Sequence, residues 1–133
     1  MVRRGVGVAS VLELKQADRI VIDAARLEQL FQQMGDRAAE AHVMDTVEDI
    51  SDRLAEIEWQ YRHGNLDEVV PRAQRVTRLC SDIGLTSLAR VARDLGISAG
   101  RGDLIAFRAV WERLVRIGDR SLAQVWEVPG LSL

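Results

Sequence analysis

The feature that most constrains the fold is a long helical repeat of apolar residues in the first half of the chain. Six apolar side chains recur at steps of three and four residues: Val43, Val47, Ile50, Leu54, Ile57 and Tyr61. This spacing places them on one face of an α-helix, and the acidic residues of the segment lie off that face. Strand-like alternation occurs only in residues 19–23 (RIVID), which are too few and too isolated to indicate a sheet. The segment therefore predicts a helix that buries one stripe.

Four further segments have helical periodicity, and residues that start or stop helices bound them. Asp23 is expected to cap a first helix over residues 24–34, which Gly35 ends. Asn65, followed by a Glu three residues later, and Thr86 are the expected N-caps of the third and fourth helices. Residues 96–103 (GISAGRGD) indicate a loop, after which Asp103 caps the last helix. Each of these four helices has an expected inward face. The residues are, for the first helix, Leu27, Leu30, Phe31 and Met34; for the third, Val69, Ala73, Val76, Cys80 and Ile83; for the fourth, Leu88, Val91, Ala92 and Leu95; and for the last, Leu104, Phe107, Val110, Trp111, Leu114 and Val115.

Amphipathic helices joined by short loops must bury their apolar stripes on one another. The sequence therefore predicts an all-α fold, an antiparallel four-helix bundle with an extra short N-terminal helix. A length of 133 residues fits one domain with a core of its own. We expect residues 1–18 to be a loosely held leader, residues 19–128 to form the bundle, and residues 129–133 to be a tail in which order ends.

Composition excludes several classes of function. A net charge of −2, without a basic tract, argues against nucleic acid and anionic membranes as partners. The apolar run near the N-terminus is broken by Gly5, Gly7 and Ser10, so it fits neither a signal peptide nor a spanning helix. The single cysteine, Cys80, has no disulfide partner within the chain and suits a reducing compartment. We expect a cytoplasmic protein without a cofactor, and no His or Cys spacing indicates a metal site.

The third helix carries an unusual polar stripe opposite its apolar face. In the segment PRAQRVTRLCSDIG, residues 71–84, the side chains of Gln74, Thr77, Arg78 and Ser81 follow the spacing i, i+3, i+4 and i+7. Arg75 lies near the same rim. Such a stripe is either a solvated face or a surface that binds a partner.

On these residues the sequence resembles the histidine-containing phosphotransfer (HPt) family of two-component phosphorelays. The family's central helix carries Ala-His-x-Leu-Lys-Gly-x-Ala, with a further Gly ten residues after the His. Aligned on Gly84, the segment places Ala73, Val76 and Cys80 on the family's apolar positions. The resemblance extends from residue 23 to residue 126, through GNLDEV, GLTSLARVARDL and GDLIAFRAVWERL. It implies a helical bundle that binds a response-regulator receiver domain or a histidine kinase.

The positions that carry chemistry in the family differ in this chain. Gln74 stands at the phosphoacceptor His, Thr77 at the Lys and Arg78 at the Gly. In the family, an imidazole nitrogen attacks the phospho-aspartate of a receiver, and a carboxamide nitrogen is no such nucleophile. The resemblance thus predicts a non-catalytic docking module, with Gln74, Arg75, Thr77, Arg78, Ser81 and Trp59 as its partner-binding residues.

Two other interpretations remain open at the level of sequence. One is an active phosphotransfer protein that uses His63 or His42, although His63 also fits a cap at the end of the long helix. The other is a structural helical protein that forms a homodimer. Trp59 lies about 200° around the helix from Ile57 and so points outward, where it can anchor a partner or cover the N-terminal leader.

Overall fold

The long helix predicted from the apolar repeat spans Asp36–Arg62 in a computed structural model, which describes residues 19–127. The elements, in order, are α1 (Ala24–Met34), α2 (Asp36–Arg62), α3 (Leu66–Asp82), α4 (Thr86–Gly100), α5 (Leu104–Gln124) and a 3-10 turn (Val125–Glu127). No strand occurs within residues 19–127. The predicted all-α class is confirmed, whereas the predicted leader and tail lie outside the described residues.

Short connections determine how the helices are arranged. Gly35 alone separates α1 from α2, and three residues separate each later pair of helices. Such short connections leave consecutive long helices antiparallel and adjacent. Helix α3 packs between α2 and α4, α5 packs on the other side of α4, and α1 packs on α2.

The core is built from the apolar faces predicted by periodicity. The inner face of α3, which comprises Val69, Ala73, Val76 and Cys80, is fully buried. The α2 repeat alternates between fully buried residues such as Ile50 and half-buried ones that pack against the core. Three expected core residues are instead exposed: Met34 of α1 by 42%, and Leu104 and Val115 of α5 by 59% and 43%. Leu104 is the first residue of its helix, and Val115 borders a groove between α2 and α5.

Two of the four predicted N-cap residues cap their helices with a side-chain hydrogen bond. Asp23 and Asp103 each accept a hydrogen bond from a backbone N–H three residues later, at 3.1 and 3.0 Å. Asn65 occupies the N-cap position of α3, but its amide donates to Gln60 Oε1 and caps nothing. Thr86 is the first residue inside α4, and Leu85 precedes it at the N-cap. Local side chain–backbone pairing therefore explains only the two Asp caps.

The prediction of a loop over residues 96–103 is wrong for residues 96–100, because α4 continues to Gly100. Only residues 101–103 form a turn. The reason is contact with α3. A Cβ atom on Gly96 would lie 3.3 Å from Ala73 Cβ, so the missing side chain allows the two helices to approach closely. Tertiary packing thus outweighs the low helix propensity of glycine.

The segment predicted to be too short for a sheet, residues 19–23, is tied to the turn between α3 and α4. Val21 N donates to Ser87 Oγ at 2.7 Å, and Asp23 N donates to Gly84 O at 2.8 Å. Gly84 ends α3 with φ of +77°, and a Cβ there would lie 2.7 Å from Asp23 O. The turn therefore needs glycine for its conformation and for the space that residue 23 occupies.

We predict that Gly84→Ala destabilises the bundle more than Gly64→Ala does. Both glycines have positive φ, which costs an alanine about 1–2 kcal/mol, but a Cβ on Gly64 meets nothing within 4 Å. The clash with Asp23 O adds to the loss only at Gly84, by at least about 1 kcal/mol. Urea unfolding followed by circular dichroism measures both losses. Equal losses in the two variants would show that the close approach costs nothing.

Candidate partner-binding groove

The polar stripe of α3 forms one wall of an open groove against α4. The groove has a volume of about 410 Å³ and is lined by Gln74, Thr77 and Arg78 of α3 and by Ala92, Arg93, Gly96 and Ile97 of α4. The buried stripe on the inner side of α3 sets this orientation, since residues half a turn away must face outward. Gly96 brings α4 close enough for the two helices to share the groove.

The groove brings together three of the six residues predicted to bind a partner. Gln74, Thr77 and Arg78 line it, whereas Arg75 and Ser81 are exposed on α3 beside it. Trp59 lies on α2, away from the groove lining, with 54% of its surface exposed.

Arg78 and Arg93 are the charged residues of the groove lining, and they come from opposite walls. Within residues 19–127, neither guanidinium forms a hydrogen bond or an ion pair, and no carboxylate lines the groove. Thr77 Oγ1 donates to Ala73 O at 2.8 Å, which commits the hydroxyl proton to the helix backbone. The groove therefore offers guanidinium and carboxamide donors, and its chemistry suits an anionic group.

The α4 wall was missed by sequence reasoning because Gly96 and Gly100 indicated a loop. A usable signal was nevertheless present. Leu95, Ser98 and Ala99 continue the helical spacing of the buried face of α4. Small residues in that register indicate a helix packed closely on a neighbour, which places Arg93 and Ile97 on the adjoining face.

A second polar cluster joins three helices at the end of α3. Asp82 Oδ1 accepts from Arg26 Nη2 of α1 at 3.0 Å, and Asp82 Oδ2 lies 2.7 Å from His42 Nε2 of α2. Arg26 Nε also donates to the Asp82 carbonyl at 2.9 Å. Partial burial opposes ionisation of Asp82, but the hydrogen bonds and charges of His42 and Arg26 outweigh it, so the pKa of Asp82 lies below its usual value.

The remaining candidate side chains lie outside the groove lining. His63 occupies the C-cap of α2, as the helix-cap interpretation predicted, with Nδ1 2.8 Å from Trp59 O. Its ring stacks on Trp59 with 3.8 Å between centroids. Cys80 is fully buried, and this burial raises the pKa of its thiol to about 12. Within residues 19–127, no three His, Cys, Asp or Glu residues are grouped to hold a metal ion.

Comparison with known proteins identifies the architecture. No protein-family model matches the sequence, and no curated protein matches it. Among solved structures, the chain is similar to histidine-containing phosphotransfer protein B (HptB) from Pseudomonas aeruginosa PAO1. The TM-score is 0.74 at 23% identity, over 80% of this chain and 91% of that chain. This chain has the HPt fold. The fold implied by the α3 resemblance is therefore confirmed.

The helices of the bundle have separate apolar and polar faces. In the described part of the chain, no helix is both long enough and apolar enough to cross a bilayer. The longest, α2, carries acidic residues throughout its outward face. Each helix thus presents one apolar stripe to the bundle and one polar face outward.

We predict that Asp82→Asn destabilises the protein at neutral pH and that its deficit shrinks in acid. The low pKa of folded Asp82 means that its stabilising effect is complete above about pH 4 and disappears as pH falls through the folded pKa. Because 40% of the side chain is exposed, we expect a deficit of about 1 kcal/mol or less at pH 7. Unfolding curves between pH 2 and 7 measure this. Asp52→Asn, an exposed change on α2, is the control, and an Asp82→Asn deficit independent of pH would contradict the prediction.

Proposed function

We propose that this protein is an HPt-like signalling module that docks a receiver domain or a histidine kinase through the α3–α4 groove without carrying phosphate. One observation carries the proposal. Gln74 is exposed on the groove wall, at the position where the α3 resemblance places the phosphoacceptor histidine.

The chemistry of α3 supports docking without transfer. The lone pair of the Gln74 nitrogen is delocalised into its carbonyl, so it does not attack a phosphoryl group as a neutral imidazole does. Thr77 has its proton directed at Ala73 O and no general base in the groove lining. Arg78 replaces the small residue of the family with a long cation, which favours binding of an acidic partner surface.

The geometry of the two histidines favours the same conclusion. His42 Nε2 already contacts the Asp82 carboxylate, whose charge would repel an incoming phosphoryl group. His63 is exposed, but its ring is stacked on Trp59 and stands at the far end of α2, outside the groove lining. A phosphocarrier role for either residue would require a separate docking surface.

We predict that Arg78→Glu weakens binding to the cognate receiver domain or kinase at least about tenfold, because it reverses a charge in the groove. Isothermal titration against the receiver domains and histidine kinases of the source organism identifies the cognate partner and measures the affinity. Arg37→Glu makes the same change on the exposed surface of α2 and should bind as wild type does.

Trp59→Ala tests the competing surface in the same titration. If this variant loses binding and Arg78→Glu keeps it, the interface lies on α2 and the groove proposal fails. Light scattering of the same variant addresses the homodimer interpretation, which the exposure of Trp59 favours.

We also predict that wild-type protein takes up no acid-labile phosphate from a labelled phospho-receiver that it binds. The reason is the lack of a nucleophilic nitrogen at residue 74. Gel autoradiography after incubation with the phospho-receiver measures this, with an HPt protein that accepts phosphate from the same receiver as the positive control. Label on wild type that disappears in His63→Ala or His42→Ala would instead establish an active phosphocarrier.

A further inference from the structure

The bundle has an opening between its first long helix and its last. Helices α2 and α3, α3 and α4, and α4 and α5 pack on one another in sequence. Helices α2 and α5 instead face each other across a groove of about 270 Å³, the α2–α5 groove, to which Leu54, Trp111, Val115 and Leu122 contribute apolar side chains. No residue lines both this groove and the α3–α4 groove, which lies on the opposite side of the bundle.

Helix α5 carries a second apolar face in addition to the one that the core covers. Its first face, which includes Phe107 and Leu114, is buried in the core. Trp111, Val115 and Leu122 follow at steps of four and seven residues, so they share another face of the same helix. Val115 is 43% exposed, and the other two are half-buried. An apolar face that runs along a groove in this way marks a surface that another segment covers.

The leader, residues 1–18, begins at one end of this groove. Val21 and Asp23 are hydrogen-bonded to the turn between α3 and α4. Because α4 and α5 are antiparallel, that turn lies at the end of the bundle where α5 finishes, which is the Leu122 end of the groove. The groove runs about 17 Å from Leu122 to Trp111 at the rise of an α-helix. A segment of 18 residues spans up to about 60 Å, so the leader is long enough to follow the whole groove.

The composition of the leader matches an apolar groove with an acidic rim. Its apolar residues Val8, Val11 and Leu12 have the spacing i, i+3 and i+4, which places them on one face of a segment inserted between two helices. The leader carries three basic residues and two acidic ones. The charged residues that line the groove, Glu58 and Asp119, are both acidic.

The order of the charges also agrees. Asp119 lies towards the end of the groove where the leader begins, and Glu58 lies towards the other end, since α2 and α5 are antiparallel. A leader that follows the groove therefore brings Lys15 past Asp119 first and Arg4 towards Glu58 afterwards. Glu58 Oε1 already lies 2.6 Å from Arg62 Nη2, but such an exposed pair contributes little and leaves the carboxylate available.

We propose that the leader docks into the α2–α5 groove of its own chain and closes the open side of the bundle. Val8, Val11 and Leu12 contact the second apolar face of α5, and Lys15 lies beside Asp119. The leader then occupies a surface that would otherwise be open to a second copy of the chain. The α3–α4 groove stays accessible, so this inference does not depend on the proposed receiver or kinase docking.

Trypsin cleavage after Lys15 tests the proposal on the full-length chain. Cleavage requires an undocked leader, so its rate follows the undocked population. We expect Val115→Glu, which places a carboxylate in the apolar face of the groove, to raise the rate at Lys15 at least about tenfold. Ile105→Glu is the matched control and should be cleaved at the wild-type rate, because Ile105 is 88% exposed on the same helix and lies outside the lining of the groove. Mass spectrometry assigns the cleavage site.

A nitroxide attached to Ser10→Cys locates the docked leader directly. Residue 10 lies off the face that carries Val8, Val11 and Leu12, and the native thiol of Cys80 is buried and protonated, so the label attaches at residue 10. We expect the nitroxide to broaden the amide NMR signals of α2 and α5 along the groove and to leave those of the α3–α4 groove sharp.

A charge exchange in the labelled protein tests the orientation of the leader. Asp119→Lys should reduce the broadening along the groove, because it places like charges together. Adding Lys15→Glu to Asp119→Lys should restore it, since the pair is then reversed and intact. Failure of the double variant to recover would contradict the proposed direction. Circular dichroism of each variant verifies that the helices are intact.

Four results would overturn the proposal. Wild-type cleavage of Val115→Glu together with no broadening along the groove would show that the leader does not dock there. Acceleration by Trp59→Ala alone would place the leader on the exposed face of α2. Broadening that appears only between labelled and unlabelled chains in a mixed sample would make a second copy the source of the leader. Broadening of the groove by a nitroxide on Ser132→Cys, and not by one on Ser10→Cys, would assign the groove to the C-terminal tail.

Discussion

The close contact between α3 and α4 at Gly96 is the constraint on which the candidate site depends. Interiors are packed tightly, so two helices approach only as far as the side chains between them permit. The missing Cβ of Gly96 next to Ala73 lets α4 lie against the middle of α3. That contact sets the width of the groove and brings Arg93 opposite Arg78. A larger residue at position 96 would push α4 away from Ala73 and widen the groove.

The HPt fold and the chemistry of its α3 face are independent in this chain. Inward positions such as Ala73, Val76 and Cys80 retain the size and polarity that a bundle helix needs. The outward positions Gln74 and Arg78 are free to vary, because no other described part of the bundle hydrogen-bonds or ion-pairs with them. A fold can therefore be kept while the side chains on one of its outward faces change.

Local interactions were predictable from the sequence, and contacts between helices were not. Asp23 and Asp103 act on their own first turns, so their roles follow from spacing alone. The length of α4 depends on Ala73, a residue of another helix, and the glycines at its end gave the opposite indication. The His42–Asp82 contact joins positions 40 residues apart, for which periodicity offers no signal. The α3 wall of the groove was accordingly predicted and the α4 wall was not.

Because Cys80 is buried, the reactivity of the chain's one thiol reports on local unfolding of the bundle. With a pKa of about 12, the folded thiol is almost entirely protonated at neutral pH, and it lies inside the core. Alkylating reagents and oxidants therefore reach a reactive thiolate only when the bundle opens around α3. The rate of Cys80 modification thus measures the frequency of that opening, without an added label and without a second thiol to confuse the signal.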